Sequence, residues 1–287
     1  MDAFGHKRSM NSADSLESED FFVTAAGRRL AARWLRPARR PAAEGPVLVF
    51  LHEGLGSIAQ WRDFPIALVE VTGLPALVYE RWGFGRSEPL TLPRPSDYLQ
   101  REAEEALPEV LAACGIERPV LIGHSDGGSI ALIYAAAFPE RPAACITEAA
   151  HVFVEDVTLQ GIRDAARAWE TTDLRERLAK YHGAGTERVF RGWTETWLRA
   201  DFRDWDITDR LADIVCPLLV IQGADDEYGT PAQVEAIAAG VSGPAEPLIV
   251  PDCGHIPHLQ QGMAVLEAMA AFLQASVALS HDTQTRP

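Results

Sequence analysis

The sequence predicts an α/β fold: a mostly parallel central sheet with helices on both faces and a helical cap inserted between two sheet strands. Three observations lead there. Short, continuously apolar strand candidates alternate with helical patterns along most of the chain, as expected of strands buried on both faces. The segment 151–210 breaks that alternation with helical patterns alone. The 287 residues, 47% hydrophobic and 23% charged, suffice for a large core of ordinary globular composition.

Residues 1–19, "MDAFGHKRSMNSADSLESE", are polar and lack the apolar stretch of a secretory signal, so they read as a disordered leader. The first part of the core, 20–150, opens with "FFVTAAGRRLAARWL", two strands joined at Ala26-Gly27. "GPVLVFLHEG" is a short buried strand, and "SIAQWRDFPIALVEVTG" has helical spacing. "LPALVYERWGFGRS" is a strand running into a glycine-rich loop. "DYLQREAEEALPEVLAACG" is helical, with Pro108 inside it to kink the helix. "PVLIGHS" is a strand, "GGSIALIYAAAFP" a helix closed by Pro139, and "AACITEAA" a strand. The cap, 151–210, carries Trp169, Tyr181, Phe190, Trp193, Trp197, Phe202 and Trp205. Such rings either pack the cap's own core or line an apolar substrate pocket, and Trp193 and Trp197 are the candidates for the second role. The second part of the core, 211–276, gives strand, helix, strand, helix in "CPLLVIQGADD", "TPAQVEAIAAGV", "EPLIVPDCGH" and "AVLEAMAAFLQA". Residues 277–287 read as a flexible tail.

The formal charge of -15 disfavours a nucleic-acid partner, because phosphates would be repelled. No apolar run reaches the roughly 18 to 20 residues of a membrane span. Cys114, Cys145, Cys216 and Cys253 are scattered and form no CxxC, which favours buried free thiols and a cytoplasmic location. No zinc-binding or phosphate-loop motif is present, so neither metal nor other cofactor is expected. The expected partner is a small-molecule substrate, with association into a homo-oligomer left open.

The chemistry concentrates at "VLIGHSDGGSIAL", Val120 to Leu132. Ser125 sits between Gly123 and Gly127, where a strand becomes a helix. That sharp turn would lift its hydroxyl to the carboxyl edge of the sheet and put the Asp126 N–H at a helix N-terminus, suited to an oxyanion. A serine nucleophile needs a base, and the base needs an orienting carboxylate. The strand after the cap ends in "GADDE" and the next in "DCGH", so Asp226 and His255 are the expected partners. Asp225 and Glu227 are the alternative acids. His258 is expected to start the last helix. The second oxyanion donor falls in "FLHEGLGS": the Gly54 N–H, or Leu55 as its alternative, with His52 holding the loop by hydrogen bonds.

"HEGLGS", "GHSDGG", "GADD" and "CGH", in this order and with a helical cap inside the series, resemble the α/β-hydrolase superfamily over nearly the whole chain. "LQGIRDAARAW" and "FRGW" further resemble the valacyclovir hydrolase, or biphenyl-hydrolase-like, branch and more loosely the meta-cleavage-product hydrolases. The resemblance implies a serine hydrolase that cleaves a small carboxylic ester through an acyl-enzyme. A C–C bond hydrolase, a thioesterase or an acyltransferase could use the same three residues, and a ligand receptor could retain them without turnover.

Two acids are unexpected beside a developing oxyanion: Glu53, where the superfamily usually has glycine after the histidine, and Asp126. Structurally, Asp126 could cap its helix and Glu53 could pair with Arg62, Arg81 or Arg86. Functionally, both could contact substrate. In the valacyclovir hydrolase branch the acid after the serine is associated with a substrate amino group, and the resemblance implies that role for Asp126.

Overall fold

The computed structural model describes residues 16–37 and 45–282, with side chains described to residue 276. Its centre is an eight-stranded sheet in the order β1-β2-β4-β3-β5-β6-β7-β8. Strands β1 (Glu17–Ala25), β2 (Arg28–Arg36) and β4 (Ala76–Tyr79) pair antiparallel in succession. From β4 onward, β3 (Val47–Leu51), β5 (Pro119–His124), β6 (Ala144–Glu148), β7 (Leu218–Gly223) and β8 (Ala245–Val250) are parallel. β1 begins inside the expected leader, whose residues 1–15 lie outside the described residues.

Successive side chains on a strand point to opposite faces, so the apolar strands feed two cores. Leu48, Phe50, Val120, Ile122, Leu219 and Ile221 join one of them. It is covered by α1 (Phe64–Thr72) and the C-terminal α10 (Gly262–Asp282), through Leu68, Val69, Val265, Met269 and Phe272. Val49, Leu51, Leu121, Leu218 and Val220 join the other. There α3 (Leu107–Ala113), α4 (Asp126–Ala137) and α8 (Pro231–Gly240) provide the cover. α4 is apolar on every side because it is buried on every side: all residues from Asp126 to Ala136 are buried. α10 continues past the expected start of the tail at 277, and residues 283–287 lie outside the described residues.

The helix around Pro108 is broken as the proline demands. A single helical turn, α2 (Tyr98–Arg101), runs through a π-helical stretch, Glu102–Ala106, into α3. Proline cannot donate the regular helical hydrogen bond, and a wider turn absorbs the defect. Between β6 and β7 the chain runs through α5 (Asp156–Thr171), α6 (Leu174–His182) and α7 (Thr186–Trp197), then short 3-10 turns. Its β-pairing is a single bridge, Phe153 to Asp206. A short α9 (Pro257–Gln260) precedes α10. Among the described residues no helix is long and apolar enough to cross a membrane. All four cysteines are free. Cys114, at the end of α3, is only half-buried, whereas the sequence led us to expect burial of all four.

Candidate active site

Ser125 is the residue between β5 and α4, and it adopts φ 53°, ψ −118°. A non-glycine residue there costs on the order of 1–3 kcal/mol and persists only where its surroundings enforce it. They do so here through backbone contact. The Ser125 N–H donates to the Glu148 carbonyl oxygen at 2.8 Å. A Cβ on Gly123 would overlap the Gly127 carbonyl oxygen, and one on Gly127 would overlap the Leu51 carbonyl oxygen. The two glycines of the motif thus let α4 start directly against the ends of β3 and β5.

The loops after β7 and β8 meet at the same edge of the sheet. Gly223 lies against the Cys253 and Gly254 carbonyl oxygens, and the Asp225 N–H donates to the Cys253 carbonyl at 2.8 Å. This contact places His255 Nε2 2.9 Å from Ser125 Oγ, and His255 Nδ1 2.9 and 3.0 Å from the two Asp226 oxygens. Asp226 Oδ1 also accepts the Tyr228 N–H at 2.8 Å. Burial is the largest single influence on Asp226 and opposes its ionisation, but the hydrogen bond and charge of His255, the Tyr228 N–H and the charge of His151 together outweigh it and lower its pKa. The neighbouring acids are placed differently. Asp225 is exposed, and Glu227 Oε2 accepts the main-chain N–H of His255 at 3.2 Å. His258 lies in α9 rather than at the start of the last helix. It is buried, with Nδ1 2.8 Å from Glu148 Oε2.

The loop after β3 faces Ser125. His52 Nδ1–H donates to the Glu53 carbonyl at 2.7 Å, and Nε2 accepts the Arg81 N–H at 3.1 Å, as a neutral imidazole can. Burial holds its pKa well below the usual histidine range, in agreement. Arg81 Nη2 adds a hydrogen bond to the Glu53 carbonyl at 2.8 Å, and His182 of α6 donates from Nε2 to the Leu55 carbonyl at 2.8 Å. The Gly54 and Leu55 N–H groups have no hydrogen-bond partner among the described residues. Asp126 is the first residue of α4, where N–H groups lack intrahelical acceptors.

A cavity of about 190 Å³ opens onto Ser125 and His255. Leu55, Ile162, Trp193, Trp197 and Ile256 give it apolar walls, while Glu53, His124, His151, Thr158, Glu227 and Tyr228 are its polar lining. The rings between β6 and β7 take two kinds of place. Trp169 stacks on Phe190 at 4.1 Å and Phe202 on Trp205 at 5.7 Å, whereas Trp193 and Trp197 line the cavity. Trp193 also packs on Gly54, whose Cβ would come within 2.5 Å of the ring.

The two unexpected acids require correction. Asp126 does not line the cavity: its carboxylate is 1% exposed, accepts the Tyr98 hydroxyl at 2.7 Å, and lies 3.5 Å from the fully buried Arg81. It caps no helix either. The expected substrate contact by this side chain is therefore overturned, because the helix start directs it into the interior and leaves only its backbone beside Ser125. Glu53 does line the cavity, but its carboxylate pairs with none of Arg62, Arg81 or Arg86. Its Oε2 lies 2.8 Å from His124 Nδ1, and its Oε1 accepts from Gln60 at 3.4 Å. His124, His151, Thr158 and Tyr228 were missed in the sequence. For His124 a signal existed: it directly precedes the serine, at the end of a buried strand, where a polar side chain needs a partner.

The sequence pattern of the alpha/beta hydrolase family matches residues 48–268. The chain is 25% identical over 240 residues to 2-hydroxy-6-oxo-6-phenylhexa-2,4-dienoate hydrolase of Comamonas testosteroni, covering 75% of this chain and 82% of that one. It is 29% identical over 187 residues to serine hydrolase BPHL of Homo sapiens, covering 62% of each. The fold is similar to the crystal structure of proline iminopeptidase from Mycobacterium smegmatis, with TM-score 0.72, 20% identity, and 91% of this chain and 100% of that one covered. Sheet order, serine turn and sequence pattern agree, and the chain belongs to the alpha/beta hydrolase family, as an enzyme of the hydrolase type.

Proposed function

We propose that the chain hydrolyses a small carboxylic ester through an acyl-enzyme on Ser125. The observation that carries this reading is the unbroken hydrogen-bond series Ser125–His255–Asp226 opening onto a largely apolar cavity. His255 Nε2 takes the Ser125 proton as Oγ attacks the ester carbonyl carbon. The Gly54 and Asp126 N–H groups receive the oxyanion. His255 then gives that proton to the departing alkoxide, which leaves as an alcohol. Water, deprotonated in turn by His255, attacks the acyl carbon, and His255 returns that proton to Ser125 Oγ as the acid departs. Asp226 keeps the Nδ1 proton in place and favours the imidazolium that forms between steps. Glu53, Trp193 and Trp197 are the side chains assigned to substrate contact.

The relative from Comamonas testosteroni favours a second reading, C–C bond hydrolysis on the same residues. A panel of esters, thioesters, amides and vinylogous 1,5-diketones, assayed with the wild type and Ser125→Ala, separates the two. Ester turnover lost in the variant supports the first reading, and turnover confined to diketones supports the second. Labelling of the wild type but not Ser125→Ala by a fluorophosphonate tests the nucleophile itself.

A further inference from the structure

We infer that Glu53 and His124 form an ion-paired positioning unit, which holds a proton next to the cavity and fixes the main chain of His255 against Ser125. The inference rests on the proposed role of His255 as the base.

The two ring nitrogens of His124 face different groups. Nε2 lies 2.7 Å from the His255 carbonyl oxygen, which can only accept, so Nε2 carries a hydrogen. Nδ1 lies 2.8 Å from Glu53 Oε2. That contact is displaced from the direction of an in-line N–H hydrogen bond, and Nδ1 has no other partner among the described residues. A neutral Nδ1 this close to a carboxylate oxygen would be repelled, whereas a charged ring is attracted even without an in-line hydrogen bond, so the pair favours a shared proton on one of the two groups. The surrounding charges place it on the ring. Burial of His124 opposes protonation, but Glu53, with Glu148 behind it, raises its pKa to about 9. Burial also opposes ionisation of Glu53, yet His124 lowers its pKa.

The unit joins three separate parts of the chain. His124 ends β5 and directly precedes Ser125. Glu53 belongs to the loop proposed to hold the oxyanion. The His255 carbonyl belongs to the loop that carries the base. The titratable groups around the His124 ring are Glu53 from the loop after β3, Glu148 from the end of β6, His255 at 5.2 Å between ring centres, and His258 of α9 at 5.1 Å. Glu148 is committed to His258, accepting both its N–H at 3.1 Å and its ring Nδ1–H at 2.8 Å. Glu53 is the acid left for His124. This accounts for an acid in the oxyanion loop: a neighbouring cation compensates its charge.

The test uses the full chain as wild type, Glu53→Gln and His124→Asn. Side-chain nitrogen chemical shifts of histidine, followed from pH 6 to 10, report the protonation of His124 without reference to activity. The wild type should show both nitrogens protonated at pH 7 and lose one proton near pH 9, and Glu53→Gln should bring that titration down by a unit or more. The second readout is the rate constant for labelling of Ser125 by a fluorophosphonate. Deprotonation leaves the Nε2–H bond in place but releases the ring from Glu53, so the alkaline decline in the wild type should follow the His124 titration, move downward with it in Glu53→Gln, and be absent in His124→Asn, whose rate at pH 7 should be about tenfold lower. A neutral His124 at pH 7 in the wild type overturns the ion pair. An alkaline decline that stays in place in Glu53→Gln, while the nitrogen titration moves, overturns the positioning role. A wild type that does not label at all removes the nucleophile reading and the positioning role with it, while the nitrogen shifts still decide the ion pair.

Discussion

At the scale of the residue, Ser125, His255 and Asp226 are separated in sequence and joined by hydrogen bonds of 2.9 to 3.0 Å. Groups that act as a unit show non-additive losses. Ser125→Ala and His255→Ala should each remove nearly all turnover while remaining folded, and the double variant should be little worse than either. Asp226→Asn should lower the rate by about ten-thousandfold, because the amide favours the wrong tautomer of the base. Asp225→Asn, at an exposed position, should stay near the wild type; kinetics of the wild type and these five variants on one ester check this. Asp126 carries a different expectation. Its carboxylate faces Arg81 inside the protein, so Asp126→Ala should cost roughly 3–5 kcal/mol in urea unfolding by stranding a buried charge. Asp126→Asn should leave the rate ratio between an amino-acyl ester and its des-amino analogue unchanged, since the side chain does not reach the cavity. A shifted ratio would return substrate recognition to this residue.

At the scale of the element, the start of α4 and the helices between β6 and β7 make contrasting demands. α4 approaches β3 so closely that Gly127→Ala must displace backbone at the Leu51 carbonyl. It should destabilise the fold by several kcal/mol, whereas Gly185→Ala, with open space around its Cβ and an ordinary φ of −81°, should be close to neutral. Thermal melts of the two variants make the comparison. In α7, Trp193 and Trp197 both line the cavity, but only Trp197 is almost fully buried and bonded, donating from Nε1 to the Tyr98 hydroxyl at 3.0 Å. Trp197→Ala should therefore cost about 3–5 kcal/mol. Trp193→Ala should be milder and should change the relative rates on large and small acyl groups. Equal selectivity in Trp193→Ala and the wild type would assign its ring to packing alone.

At the scale of the whole molecule, buried charges make stability depend on pH through groups whose pKa changes on folding. His124 has a raised folded value, about 9 against 6.5 unfolded. Its contribution is fully present below pH 6.5 and is lost as pH rises through about 9. A shift of that size corresponds to on the order of 3 kcal/mol. Glu53, Glu148 and Asp226 have lowered values, so their contributions are present above the ordinary carboxylate range and are lost as pH falls below it, through the lowered folded values. Urea unfolding from pH 4 to 10 should give a plateau near neutrality with a fall on either side. In His124→Asn the alkaline fall between pH 8 and 10 should be smaller than in the wild type, and an identical fall in both would rule out His124 as its source.

The sequence by itself determined the alternation of strands and helices, the helical stretch between β6 and β7, and the positions of Ser125, Asp226 and His255 at strand ends. Those features are local. Apolar runs, glycines at a sharp turn, and polar residues just beyond a strand are visible within a few neighbours of each other. What only the tertiary structure decided is which way buried polar side chains point and whom they meet. Asp126 reads as a pocket acid from its neighbours, yet a helix start turns it toward Arg81 and Tyr98, which lie 45 and 28 positions away by number. Glu53 reads as a partner for a nearby arginine, yet it meets His124, which belongs to a strand adjacent in the sheet and distant in the chain. A buried polar group must find a partner, but the strand order selects that partner, and the strand order is set by the packing of the whole sheet.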